Sequence, residues 1–108
     1  MRNELLEHPH WGPLFAALEA LAAPLFAAGW KLVGTETDES WEYGDSAFYD
    51  LERGADCIEL EYYEHGQLVA YRNDNATHDG EEMPEPYFVL AEVNGAELIE
   101  LYRAQRWI

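Results

Sequence analysis

The sequence predicts an α+β fold: an antiparallel sheet with helices packed on one of its faces. Three observations predict it. An alanine- and leucine-rich run over residues 13–28 has helical periodicity. Alternating apolar and polar runs then follow at hairpin spacing, and helical spacing returns after Asn94. A chain of 108 residues is expected to form one domain, 1–108, with a single modest core. Its 14% aromatic content separates it from disordered acidic tails, which lack such side chains.

The first helix is expected over residues 13–28, with Pro13 in its opening turn, where a missing N–H costs nothing. Leu14, Phe15, Leu18, Leu21, Ala22 and Leu25 recur at helical spacing and form its core stripe. Pro24 is expected to kink the helix or split off its last turn, and Gly29 to stop it. The opposite side is mostly alanine (Ala16, Ala17, Ala20, Ala23, Ala27) with Glu19. It reads as high helix propensity, with a homodimer through this Ala-rich face as the second reading.

Four to five strands follow as an antiparallel meander: Trp30 to Thr37, then 46–53, 57–63, 67–73 and 85–93. The run Tyr87–Ala91 is apolar on both faces, which predicts a strand covered on both sides. Residues 94–107 carry a hairpin-like Asn94-Gly95, but Leu98, Ile99, Leu101 and Tyr102 fit one helical stripe. Glu97 early and Arg103 and Arg106 late suit a helix dipole. The segment is therefore expected to be a helix capped by Asn94.

Register follows from the turns. A two-residue Gly54-Ala55 loop pairs Leu51 with Ile58, Tyr49 with Leu60 and Ala47 with Tyr62, an apolar face throughout. A two-residue His65-Gly66 loop then pairs Tyr62 with Val69, Leu60 with Tyr71 and Glu59 with Arg72. On the other face Asp50, Glu52, Glu59 and Glu61 share neighbouring strands, and that face is expected to be open to solvent. Like charges directly opposed destabilise a sheet by a few tenths of a kcal/mol or more. A basic partner would relieve that repulsion.

Charge sharpens the expectation. The formal net charge is −16, and from Leu32 to Tyr102 nineteen acidic residues meet only Arg53 and Arg72. No basic nucleic-acid footprint exists, and an anionic membrane surface is disfavoured. The partner expected is instead a basic protein, a DNA- or RNA-binding protein or a nuclease. The candidate partner-binding residues are Asp50, Glu52, Glu59, Glu61 and Phe48 on the sheet. Asp38, Glu39, Trp41, Glu42 and Asp45 in one loop, and Asp79, Glu81 and Glu82 in another, extend them. Carboxylates about 6.6 Å apart along a strand and about 4.8 Å apart across strands approach the charge density of a phosphate backbone. The expected function is that of a non-enzymatic inhibitor. Examples of that class are nucleic-acid mimics of the anti-CRISPR or anti-restriction kind and immunity proteins of nuclease toxins. The alternative is a small soluble domain whose acidity serves solubility or salt adaptation, with a ligand pocket beside Trp30, Trp41 or Trp107.

Enzymatic readings find less support. Paired Glu59 and Glu61 would need a cleft and unequal surroundings to act as acid and base. His65 falls in a turn, and His8 and His10 have no third ligand in the pattern. Residues 75–86 fail the calcium-loop pattern at its last position, Pro86. No cofactor is expected. Cys57 is alone, so no internal disulfide framework exists and a reducing cytoplasm fits best.

Overall fold

Helix α1 (Gly12–Ala27) and helix α2 (Gly95–Ala104) pack on one face of a five-stranded antiparallel sheet. The strands are β1 (Lys31–Asp38), β2 (Ser46–Arg53), β3 (Asp56–Tyr63), β4 (Leu68–Arg72) and β5 (Pro86–Leu90). They lie in chain order, so the sheet is a meander. The computed structural model describes residues 6–39, 41, 42, 44–72 and 86–108. Among these, no helix is long and apolar enough to cross a membrane.

The core lies between the helices and one sheet face. Leu14, Phe15, Leu18, Ala22 and Leu25 of α1 and Leu98 and Tyr102 of α2 meet Ala47, Tyr49, Leu51, Ile58, Leu60, Leu68, Ala70, Phe88 and Leu90. Each large side chain buried there contributes about 1.5–3 kcal/mol. One polar tie joins the first helix to the sheet and another joins the two helices. Tyr49 donates to Glu19 at 2.6 Å, and Tyr102 donates to the Leu21 carbonyl at 2.7 Å. Helix α1 continues through Pro24 to Ala27 instead of losing its last turn. Of its alanine face, Ala16, Ala20, Ala23 and Ala27 are exposed. Asn94 caps α2 as expected, accepting from the Glu97 N–H at 2.8 Å.

Both helices end in the same way. Trp30 N–H reaches the Leu25 carbonyl and Gly29 N–H that of Phe26, while Trp107 N–H reaches Tyr102 and Arg106 N–H reaches Arg103. These are two Schellman closures, each followed by a tryptophan. Gly29 supplies the left-handed residue of the first, at φ 99°. In the second it is Arg106, at φ 62°, where a Cβ costs about 1–2 kcal/mol. Arg106→Gly is therefore expected to raise stability by about 0.5–1 kcal/mol, measured as a higher urea midpoint at unchanged slope.

Trp30 and Trp107 are buried in edge-to-face contact, with ring centroids 6.2 Å apart. Both belong to the core, and Trp30 Nε1 donates to the Trp107 carbonyl at 2.9 Å. Trp41 is the reverse case, 98% exposed.

Pairing between β2 and β3 follows the predicted register at every position, from Ala47 opposite Tyr62 to Glu52 opposite Cys57. The β3–β4 pairing differs by one residue: Leu60 stands opposite Ala70, Glu59 opposite Tyr71, and Ile58 opposite Arg72. The loop holds three residues, Glu64, His65 and Gly66, closed by Tyr63 N–H donating to the Gln67 carbonyl. Gly66 takes φ 100° at its third position, the place where three-residue hairpins need a left-handed residue. That slip turns Leu68 and Ala70 to the core and moves Tyr71 to the far face. β5 also departs from expectation: Phe88 and Leu90 are buried, but Val89 is 49% exposed and Ala91 is exposed.

Candidate partner-binding face

Strand alternation assigns the helix-free face. It comprises Gly34, Glu36 and Asp38 of β1 and Ser46, Phe48, Asp50 and Glu52 of β2. Cys57, Glu59, Glu61 and Tyr63 of β3, Val69 and Tyr71 of β4 and Val89 of β5 complete it. Four of the predicted residues, Asp50, Glu52, Glu59 and Glu61, thus do share one surface with Phe48. Asp38 joins them at the rim. Glu36, Ser46, Tyr63 and Tyr71 belong to the same surface and escaped sequence reasoning. Tyr71 was legible only through the three-residue loop, and Glu36 only through the β1–β2 register.

The face is not uniformly solvated. Glu36, Asp38 and Glu52 are exposed, but Asp50 and Glu59 are half-buried, and Glu61 is buried at 4% exposure. Ser46 is fully buried and donates to Glu61 Oε2 at 2.8 Å. The hydroxyls of Tyr63 and Tyr71 also hydrogen-bond Glu61. Hydroxyls from three adjacent strands therefore hold one carboxyl group. Burial, together with the Glu61 charge, pushes the Tyr63 hydroxyl up to about 12 and raises that of Tyr71 further.

A second group sits beside it. Asp50 and Glu59 are direct cross-strand neighbours, and their carboxyls are hydrogen-bonded. Burial is the main cause that raises the Glu59 carboxyl to about 8, followed by Asp50, Glu36 and Glu61. Gly34 stands opposite Asp50, where a Cβ would come within 2.9 Å of Asp50 Oδ2. Its missing side chain leaves that carboxylate its place. Arg72, expected to face Glu59, instead has Ile58 as its register partner. Lys31 stands opposite Glu52 at the edge of the acidic area.

The loop residues divide. Glu39, Trp41 and Glu42 are exposed. Asp45 is already engaged: its carboxylate meets His10 Nε2 at 2.5 Å, and its carbonyl accepts from Glu64 N–H. His8 is occupied locally, with Nδ1 accepting from the N–H groups of His10 and Trp11 ahead of α1. His65 lies exposed in the β3–β4 turn with its ring stacked on Tyr63. Asp79, Glu81 and Glu82, and the segment 75–86 tested for calcium up to residue 85, lie outside the described residues.

Unequal surroundings for Glu59 and Glu61 are thus present, contrary to the premise of a single solvated face. Such an arrangement can bind cations electrostatically. No family model matches the chain, and neither the curated proteins nor the solved structures contain a match to it.

Proposed function

We propose that the protein is a non-enzymatic binding protein that presents the helix-free face of its sheet to a basic partner, a DNA- or RNA-handling protein or a nuclease. One observation carries the reading. Glu36, Asp38, Asp50, Glu52 and Glu59 form a carboxylate lattice over three adjacent strands, with Lys31 as a counter-charge at its edge. An arginine- and lysine-bearing surface is the complement of such a lattice. Half-buried Phe48 within the lattice and exposed Trp41 beside it offer apolar anchors of the kind interfaces favour. The partner-facing set is therefore Asp38, Asp50, Glu52, Glu59 and Phe48, joined by Glu36 and by Glu39, Trp41 and Glu42. Glu61 supports the face from beneath. A single cysteine, Cys57, suits work in the cytoplasm, where inhibition of nucleic-acid-handling machinery or neutralisation of a nuclease toxin would take place.

The test uses Glu36→Lys, Asp38→Lys and Glu52→Lys together, since all three are exposed and their reversal spares the buried network. Immobilised wild-type protein is expected to retain a basic protein from the host's lysate and release it as salt rises. The triple variant, folded by circular dichroism, is expected to bind that same purified protein at least tenfold more weakly. Equal affinity of the variant would reject this face and favour acidity as a general solubility device.

A further inference from the structure

We infer that the outer edge of β1 pairs with the same edge of a second copy of this chain, joining two five-stranded sheets into one. The inference goes beyond the partner-binding reading and does not depend on it. β1 is an outermost strand, and among the described residues only β2 pairs with it. The backbone N–H and C=O groups that point away from β2 are a template for a further strand. The opposite edge suits this less. β5 is five residues long and starts at Pro86, which has no N–H to give, whereas β1 has eight residues.

The residues of β1 select its occupant. Lys31, Gly34, Glu36 and Asp38 share the helix-free face, and Leu32, Thr35 and Thr37 alternate with them. Val33 is the extra residue where the register slips between Leu32 and Gly34. Opposed residues of an antiparallel pair turn their side chains to the same face, so a symmetric pairing of β1 with itself is centred on a residue. Centred on Thr35, it sets Lys31 opposite Asp38 of the second copy, Leu32 opposite Thr37, Gly34 opposite Glu36, and Thr35 opposite Thr35. Each Lys31 then meets Asp38 directly and Glu36 diagonally, the two threonines form a favourable pair, and no like charges are opposed. Centred on Glu36, the pairing would oppose two carboxylates. Centred on Gly34, it would leave Thr37 and Asp38 without partners.

A lysine and a bulge usually keep a sheet edge from pairing. Here the lysine has its complement at the far end of its own strand, and a two-fold axis through Thr35 places the two bulges symmetrically. Two chains of net charge −16 repel each other. At physiological ionic strength, however, exposed charges more than about 8 Å apart are largely screened, whereas Lys31 and Asp38 are direct neighbours in the pair. The axis runs perpendicular to the sheet, so both helix-free faces turn the same way and form one continuous surface.

The experiment is sedimentation velocity of the full chain over a concentration series at physiological ionic strength, with charge-swapped variants checked for folding by circular dichroism. Wild type is expected to pass from monomer to dimer as concentration rises. Lys31→Asp and Asp38→Lys should each weaken the dimer at least tenfold, since each opposes like charges at both ends of the pair. The double variant carrying both changes should dimerise again. An equimolar mixture of the two single variants should form a mixed dimer, a rescue that a folding defect in either one could not give. A wild type that stays monomeric at every concentration would overturn the inference, as would single variants that dimerise like wild type or a double variant no better than the singles. Dimerisation that survives these changes and is lost in Ala20→Glu would assign the contact to the alanine face of α1 and overturn it too. So would a monomer whose β1 amides gain protection from hydrogen exchange only with a lysine–threonine alternating peptide, which would give the edge to a basic partner strand.

Discussion

Arg53→Met is expected to cost about 3 kcal/mol of stability, the largest loss predicted here for a single surface-reaching side chain. Arg53 ends β2 and reaches under both helix termini. Nη1 donates to the Trp107 carbonyl at 2.6 Å and lies 3.4 Å from that of Ala28, and Nη2 donates to the Arg106 carbonyl at 2.9 Å. The guanidinium also sits 4.7 Å from the Trp30 ring centroid. Helix C-termini carry partial negative charge from their unpaired carbonyls. One planar cation here faces the carbonyls that follow both α1 and α2. Methionine keeps the aliphatic stem and removes only the charge and its donors. A hydrogen bond to a charged group is worth about 1.5–3 kcal/mol, and a cation–π contact about 0.5–1 kcal/mol. Partial exposure of Arg53 holds the total near the lower end of their sum. Arg53→Lys should restore less than half, because an ammonium cannot span carbonyls of two chain segments as the fork does. Urea unfolding followed by tryptophan fluorescence measures both variants. An unfolding midpoint for Arg53→Met equal to that of wild type, or full rescue by lysine, would refute this account of the junction.

The junction shows what was and was not legible in the residues. Helix α1, helix α2 and the β2–β3 hairpin follow from local chemistry: an apolar stripe, the Asn94 cap, and strict alternation flanking Gly54, which takes φ 63°. Each of these signals lies within a few residues. Arg53 read only as one of two positive charges in an acidic span, because its partners lie 25 to 54 residues away in sequence. The β3–β4 register failed for a related reason. Leu68, Val69, Ala70 and Tyr71 are apolar in succession, so either register buries an apolar face, and loop length alone decides. That one-residue difference places Tyr71 opposite Glu59 and sets the chemistry of the site. The run Tyr87–Ala91 misled in the same way, since uniform apolarity does not say which side is covered. Burial of Glu61 depends on Ser46, Tyr63 and Tyr71 from three strands at once, a convergence visible only when the sheet is assembled.

Glu59→Gln is expected to stabilise the protein at alkaline pH and to leave it nearly unchanged near pH 4. The sign follows from the direction of the shift. Glu59 holds its proton in the folded state up to about 8, whereas its ordinary value is 4.5. Below the ordinary value both folded and unfolded chains are protonated, and the group has no effect on stability. Between the two values the folded state binds a proton that the unfolded state has released, so stability falls as pH rises. Above about 8 both states are ionised and the penalty is complete and constant. The full shift would correspond to about 5 kcal/mol, but Glu59 is only half-buried and solvent screens its neighbours, which reduces the expected penalty to about 1–2 kcal/mol. Glutamine keeps the shape and an N–H donor toward Asp50 while removing the ionisation. Urea unfolding of wild type and Glu59→Gln at a series of pH values from about 4 to 9 isolates the effect. The difference between the two proteins matters, because the remaining acidic surface tilts both curves. It should grow from about pH 5 and become flat once the folded-state carboxyl has ionised. A difference independent of pH would show that the Glu59 carboxyl is not raised in the folded protein. A difference growing toward acid would show that Glu59 is held ionised, by contacts opposite in kind to those of Asp50, Glu36 and Glu61.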